Sequence, residues 1–229
     1  MKNQIKEKLG EYLKGTGWDE ELKYYWASSE FDNSIETLCQ MVKEKKLFTP
    51  SIKEMFRFLK ECPFSTIKTV IFIDDPCNDF IHSGIPFSQK TENMGKPDFP
   101  KHENHRVNHR DDIKMFLGEL ASKPEFNFDL TRWCHQGVFM FPYTPSCRLE
   151  GNPHFELWRE LRIRILDLLN VKYPNIPWVL TGERTIKMED NIDSRYIIVV
   201  PKWKKQSYHW YDKINEYLKN NKKKPIKWN

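Results

Sequence analysis

Four short, wholly apolar runs constrain this chain more than any other feature: VIFI at 70–73, VFMF at 138–141, WVL at 178–180 and YIIVV at 196–200. A strand that is hydrophobic at every position, without the alternation of a half-solvated one, is buried on both faces. Each run stops sharply, at Asp74-Asp75, Pro142, Thr181-Gly182 and Pro201. Between the runs lie segments whose apolar residues recur at helical spacing. Buried strands alternating with helices describe an α/β fold, here a three-layer α/β/α sandwich around a central, mostly parallel four-stranded sheet.

The same spacing predicts helices over 2–14, over 19–46 with Ser34 or Asn33 as N-cap, over 51–61, through Ile113 to Leu120, over 152–170 and over 208–220. Residues 89–110 are polar, carry Gly95, Pro97, Pro100 and three histidines, and read as a long inserted surface loop. A chain of 229 residues suits one core, so the expected organisation is a single domain over 1–229. Residues 1–16 form its N-terminal helix and 219–229 a basic C-terminal tail.

The apolar runs are too short to span a bilayer, and the amphipathic, lysine-studded start MKNQIKEKLGEYLK is no secretory leader. A cytoplasmic monomer is the expectation. The five cysteines are scattered with no CxxC pair, so neither a disulfide framework nor a metal site is indicated. A net charge of +5 biases the protein toward polyanions without proving that it binds one. The final lysine cluster reads equally as a solvated tail.

In a parallel sheet the loops leaving the strand C-termini converge on one rim, where open α/β folds place their chemistry. Asp74-Asp75, Pro142-Tyr143, Thr181-Gly182 and Pro201-Lys202-Trp203 should therefore meet. Two adjacent carboxylates at such a rim are candidates for acid–base or electrostatic work. The competing reading is that they cap the next helix or turn.

Beyond these features the sequence resembles the family 1 uracil-DNA glycosylases. The matching pieces are Trp18-Asp19, Phe48-Thr49-Pro50, Phe56-Arg57-Phe58, VIFIDDP, Ser83 to Ser88 (SGIPFS), Trp133 to Val138 (WCHQGV), Asn215 to Leu218 (NEYL) and the closing KKPIKW. They run in order over nearly the whole chain, and their specificity is collective. The resemblance implies excision of a base flipped out of DNA, with no cofactor and no metal. A strand-end carboxylate assists water attack at C1′ of the sugar and an aromatic ring stacks on the base. Asp75 falls on that carboxylate and Phe87 on that ring. An anion suits the task because cleaving an N-glycosidic bond builds positive charge on the sugar.

Three departures bear on substrate. Where the family has GQDPYH, this chain has Ile73, Asp74, Asp75, Pro76, Cys77 and Asn78. The family tyrosine excludes thymine by standing against C5 of the base, and the much smaller Cys77 opens that space, with Asn78 beside it. Pro142 takes the place of the asparagine that reads the uracil amide, and proline offers neither a side-chain partner nor an N–H; Tyr143 follows it at the same rim. In place of HPSPLS, the chain has Pro201, Lys202, Trp203, Lys204, Lys205 and Gln206. The lysines suit phosphate contact, and Trp203 suits either a wedge in the duplex or ordinary packing. With the family histidine gone, support for the departing base falls to His102, His105 or His109 of the long loop, or to Asp74 acting as an acid beside Asp75. The loop histidines read more simply as solvent-exposed.

The expected function is hydrolysis of the glycosidic bond of a C5-modified pyrimidine of the kind found in phage DNA, which would suit an anti-phage or a phage-encoded role. The alternatives are a catalytically silent DNA-binding homologue and an ordinary uracil-DNA glycosylase.

Overall fold

The computed structural model describes residues 2–74, 83–88, 116–123, 125–148, 154–200 and 209–229. In chain order these form α1 (Lys2–Leu13), α2 (Trp18–Glu21), α3 (Lys23–Trp26), α4 (Ser29–Lys43), β1 (Phe48–Thr49), α5 (Arg57–Glu61), β2 (Thr69–Ile73), α6 (Thr131–Cys134), β3 (Val138–Pro142), β4 (Cys147–Arg148), α7 (Arg159–Lys172), β5 (Trp178–Thr181), α8 (Glu183–Ile186), β6 (Ile197–Val200) and α9 (Trp210–Asn220). Short 3-10 turns complete the connections.

The four apolar runs form one sheet in the order β3-β2-β5-β6, with every neighbouring pair parallel. Register brings the strand ends level: Ile73 lies opposite Pro142 on one side and Thr181 on the other, and Thr181 opposite Val200. Every residue of β2, β3 and β5 is buried. Because successive strand side chains point to opposite faces, this requires cover on both sides of the sheet and so produces three layers. Phe139 and Phe141, on one face, stack with Trp18 (4.9 Å) and Phe58 (6.5 Å) respectively. A separate aromatic cluster joins Trp210 of α9 to Phe116, Trp133 and Trp228.

Several boundaries differ from the sequence expectation. The N-cap of α4 is Ser28, whose hydroxyl accepts from Phe31 N at 3.2 Å. Ser34 instead lies inside the helix, its hydroxyl 2.8 Å from Leu157 O. The helices expected from 51 and 152 begin only at Arg57 and Arg159, because tight turns at 52–56 and 155–158 bury apolar residues at spacings that mimic a helix. The antiparallel pair of β1 and β4 has two residues per strand, too few to leave a periodic signal. The C-terminal segment is tied down beyond the helix. Ile226 and Trp228 are buried, and Asn215 exchanges two hydrogen bonds with Ile226, while Lys222, Lys223, Lys224 and Lys227 stay exposed. Among the described residues no helix is long and apolar enough to cross a membrane. The loop expected at 89–110 lies outside the described residues.

Candidate active site

The rim is built by cross-strand bonds at the last residues of the sheet. Tyr143 N donates to Ile73 O at 2.7 Å, and Asp74 N donates to Thr181 O at 3.0 Å, so β2 is pinned between β3 and β5 up to its last described residue. The Asp74 carboxylate is buried, with Oδ2 accepting from Arg184 N (2.9 Å) and Oδ1 from the Arg184 guanidinium (3.2 Å). It therefore caps a helix distant in sequence, α8, which follows β5. Gly182 permits the approach. Its φ is +99, and a Cβ there would stand 2.2 Å from Asp74 Cβ.

Pro142 closes β3 opposite Ile73, bringing neither a donor nor a polar side chain to that strand end. Tyr143 is half-buried, its ring lying against Phe72 (5.9 Å) and edge-on to Phe155 (5.5 Å), with the Arg162 guanidinium 4.0 Å above it. Arg162 is only 7% exposed, donates to Tyr143 O at 3.0 Å, and among the described residues its buried Nε has no partner. Burial lowers its pKa.

Phe87 sits in a left-handed backbone conformation, φ +61, and its ring stacks on Phe116 (5.2 Å), which stacks on Trp210 (4.8 Å). The tight segment carrying it is anchored at both ends. Ser83 Oγ donates to Ser88 O at 3.0 Å, Ser88 Oγ accepts from Leu130 N at 2.9 Å, and Phe58 N donates to Gly84 O at 3.1 Å. Arg57 ties Ser83 O to Thr131 and Glu61.

The structure thus places Asp74, Pro142 and Tyr143 at the strand-end rim and Phe87 on its own anchored turn. Asp75, Cys77, Asn78, His102, His105, His109, Lys202, Trp203, Lys204 and Lys205 lie outside the described residues. Asp74, expected as a possible acid, has both carboxylate oxygens taken up by Arg184. Of the other histidines, His135 lies 2.9 Å from Glu61, and His154 accepts from or donates to Ser146 Oγ at 2.8 Å while burial pulls its pKa down to about 4. Sequence reasoning missed Arg184 and Arg162. The only signal was position: Arg184 stands two residues past the Thr181-Gly182 strand end, and Arg162 lies on the inward face of the 159–172 helix.

No family model matches the chain. It is similar to a uracil-DNA glycosylase of Clostridioides difficile, 26% identical over 93% of this chain and 96% of the relative. It is likewise similar to one of Acinetobacter baylyi, 24% identical over the whole of this chain and 98% of the relative. Among solved structures, the mimivirus uracil-DNA glycosylase superposes with a TM-score of 0.76 at 21% identity, over 95% of this chain and 87% of that one.

Proposed function

The chain belongs to the uracil-DNA glycosylase superfamily, and on that premise we propose that it is a DNA glycosylase whose pocket has moved from uracil to a pyrimidine enlarged at C5. The observation that carries the proposal is Pro142 at the end of β3, level with the end of β2. A site that reads an amide edge needs a donor and an acceptor there, and losing such a partner changes discrimination by up to about 10⁴ to 10⁵.

In this reading Asp75, one residue beyond the pinned Asp74, orients water toward C1′ and stabilises the positive charge that develops on the sugar. Phe87 supplies the stacking ring, and its backing by Phe116 and Trp210 keeps the ring from yielding as the base enters. Cys77 leaves room beside C5, with Asn78 and Tyr143 bordering the same space. Lys202, Lys204 and Lys205 meet phosphates, Trp203 props the opened duplex, and His105 and His109 contact the DNA. Asp74 acts through position: it fixes the end of β2 and hence the start of the segment carrying Asp75. Pyrimidines enlarged at C5 occur in phage DNA, which suits a defensive or a phage-encoded role for a cytoplasmic monomer that acts without cofactor or metal.

Incubation with hypermodified phage DNA followed by alkali should produce strand breaks, while a uracil-containing oligonucleotide should be cut far more slowly. Rapid cutting of the uracil strand alone overturns the pocket argument and leaves an ordinary uracil-DNA glycosylase, the reading that the names of the relatives favour. Salt-dependent duplex binding with no abasic site from either DNA would mark the silent homologue, which the absent family histidine favours.

A further inference from the structure

We propose that Arg184 is a ligand for the DNA backbone, a guanidinium held at the strand-end rim so that it meets a phosphate beside the flipped nucleotide. The inference rests on the glycosylase reading and adds to it a binding residue outside the resemblance.

Arg184 and Asp74 are unequal partners. The Asp74 side chain is 8% exposed, whereas that of Arg184 is 48% exposed. The carboxylate consumes the Arg184 main-chain N–H and one bond from Nη1. A guanidinium has five N–H donors, and among the described residues Asp74 is the only hydrogen-bond partner of this one. Its flat face rests on the Phe155 ring at 4.2 Å. The bond to Asp74 and the contact with the Phe155 ring hold the group in place, and nearly half of the side chain is exposed.

Asp74 already caps α8 through the Arg184 main chain, so that helix end is held without the guanidinium, which spends a single donor on the carboxylate. Fixed geometry with unused donors is instead what bidentate recognition of phosphate requires, because less freedom is lost on binding. Behind Phe155, Tyr143 carries the buried Arg162 guanidinium, which is without a carboxylate partner among the described residues and adds positive potential to the same rim. The neighbouring acid, Glu183, is neutralised by Lys187 at 2.6 Å. Placement follows from the chain. Asp75 follows Asp74 directly in the sequence, so on the glycosylase reading a sugar presented to Asp75 brings its flanking phosphates along this rim.

The test is duplex binding measured by fluorescence anisotropy over about 50 to 200 mM salt, using a labelled duplex with one central tetrahydrofuran abasic analogue. Removing one phosphate contact lowers the slope of log affinity against log salt by about 0.9. Across that fourfold range wild type should therefore lose about 3.5-fold more affinity than Arg184→Met or Arg184→Gln. Arg184→Lys, which keeps the charge, should retain most of the slope. Lys172→Met, which removes an exposed charge at the far end of α7, should leave the slope as in wild type; circular dichroism melts establish that each variant is folded. A wild-type slope in both neutral Arg184 variants, or an equal loss of slope in Lys172→Met, overturns the inference alone. Wild type that fails to bind the duplex overturns the glycosylase reading and the inference with it.

Discussion

Asp74 and Asp75 are chemically identical neighbours, and the structure gives Asp74 its partner. Both oxygens of Asp74 are committed to Arg184, and the fit depends on a residue without a side chain at 182. Gly182→Ala would place a methyl 2.2 Å from Asp74 Cβ at φ +99, and it should destabilise by about 1 to 3 kcal/mol or more in urea titration. Excision should fall with it as the end of β2 shifts. His154 makes a separate prediction. Trp158 donates to Ser146 Oγ at 2.8 Å, and His154 Nδ1 lies 2.8 Å from the same oxygen. Burial lowers its pKa from 6.5 to about 4. Between those values the unfolded chain binds the proton and the folded chain does not, so stability should fall as pH falls through that window. Melting temperatures between those pH values should show the decline in wild type, and less of it in His154→Gln, which cannot titrate. Neither Arg184 nor the His154–Ser146–Trp158 chain was legible beforehand, because each joins residues distant in sequence or hidden in a turn, and isolated polar residues carry no periodic mark.

The strands were the most readable elements, since a run such as VIFI that is buried on both faces has no other economical place in a soluble fold. Ile71, fully buried in the middle of β2 between β3 and β5, should therefore cost about 2 to 5 kcal/mol on truncation to alanine, measured by chemical denaturation. Helix starts were less readable because Phe56 and Trp158 are core residues on turns, and burial alone does not distinguish a turn from a first helical turn. The SGIPFS segment shows why its glycine stands where it does. A Cβ on Gly84 would come within 1.8 Å of Glu54 O, so Gly84→Ala should displace the turn carrying Phe87 and weaken base stacking. The expected signature is a larger loss of excision rate than of melting temperature. Ser88→Ala, which strips the acceptor from Leu130 N, should loosen the same turn at a cost of about 1 to 3 kcal/mol.

At the scale of the molecule, the parallel order β3-β2-β5-β6 brings four strand ends to one rim, and the modest excess of positive charge suits a polyanionic partner without specifying it. The fold was legible because it follows from the number and burial of strands, whereas the proposed substrate preference rests on a few side chains, Cys77 and Pro142 above all, whose meaning depends on what their neighbours have lost. The central claim, a retained carboxylate in a pocket no longer built for uracil, is tested most directly by mass spectrometry of the bases released from uracil-containing, unmodified and hypermodified phage DNA by wild type and by Asp75→Asn. The account predicts release of a C5-modified pyrimidine by wild type, little uracil, and a loss of release in Asp75→Asn. Efficient release of uracil with none of the modified base, or equal release by the two proteins, would contradict it.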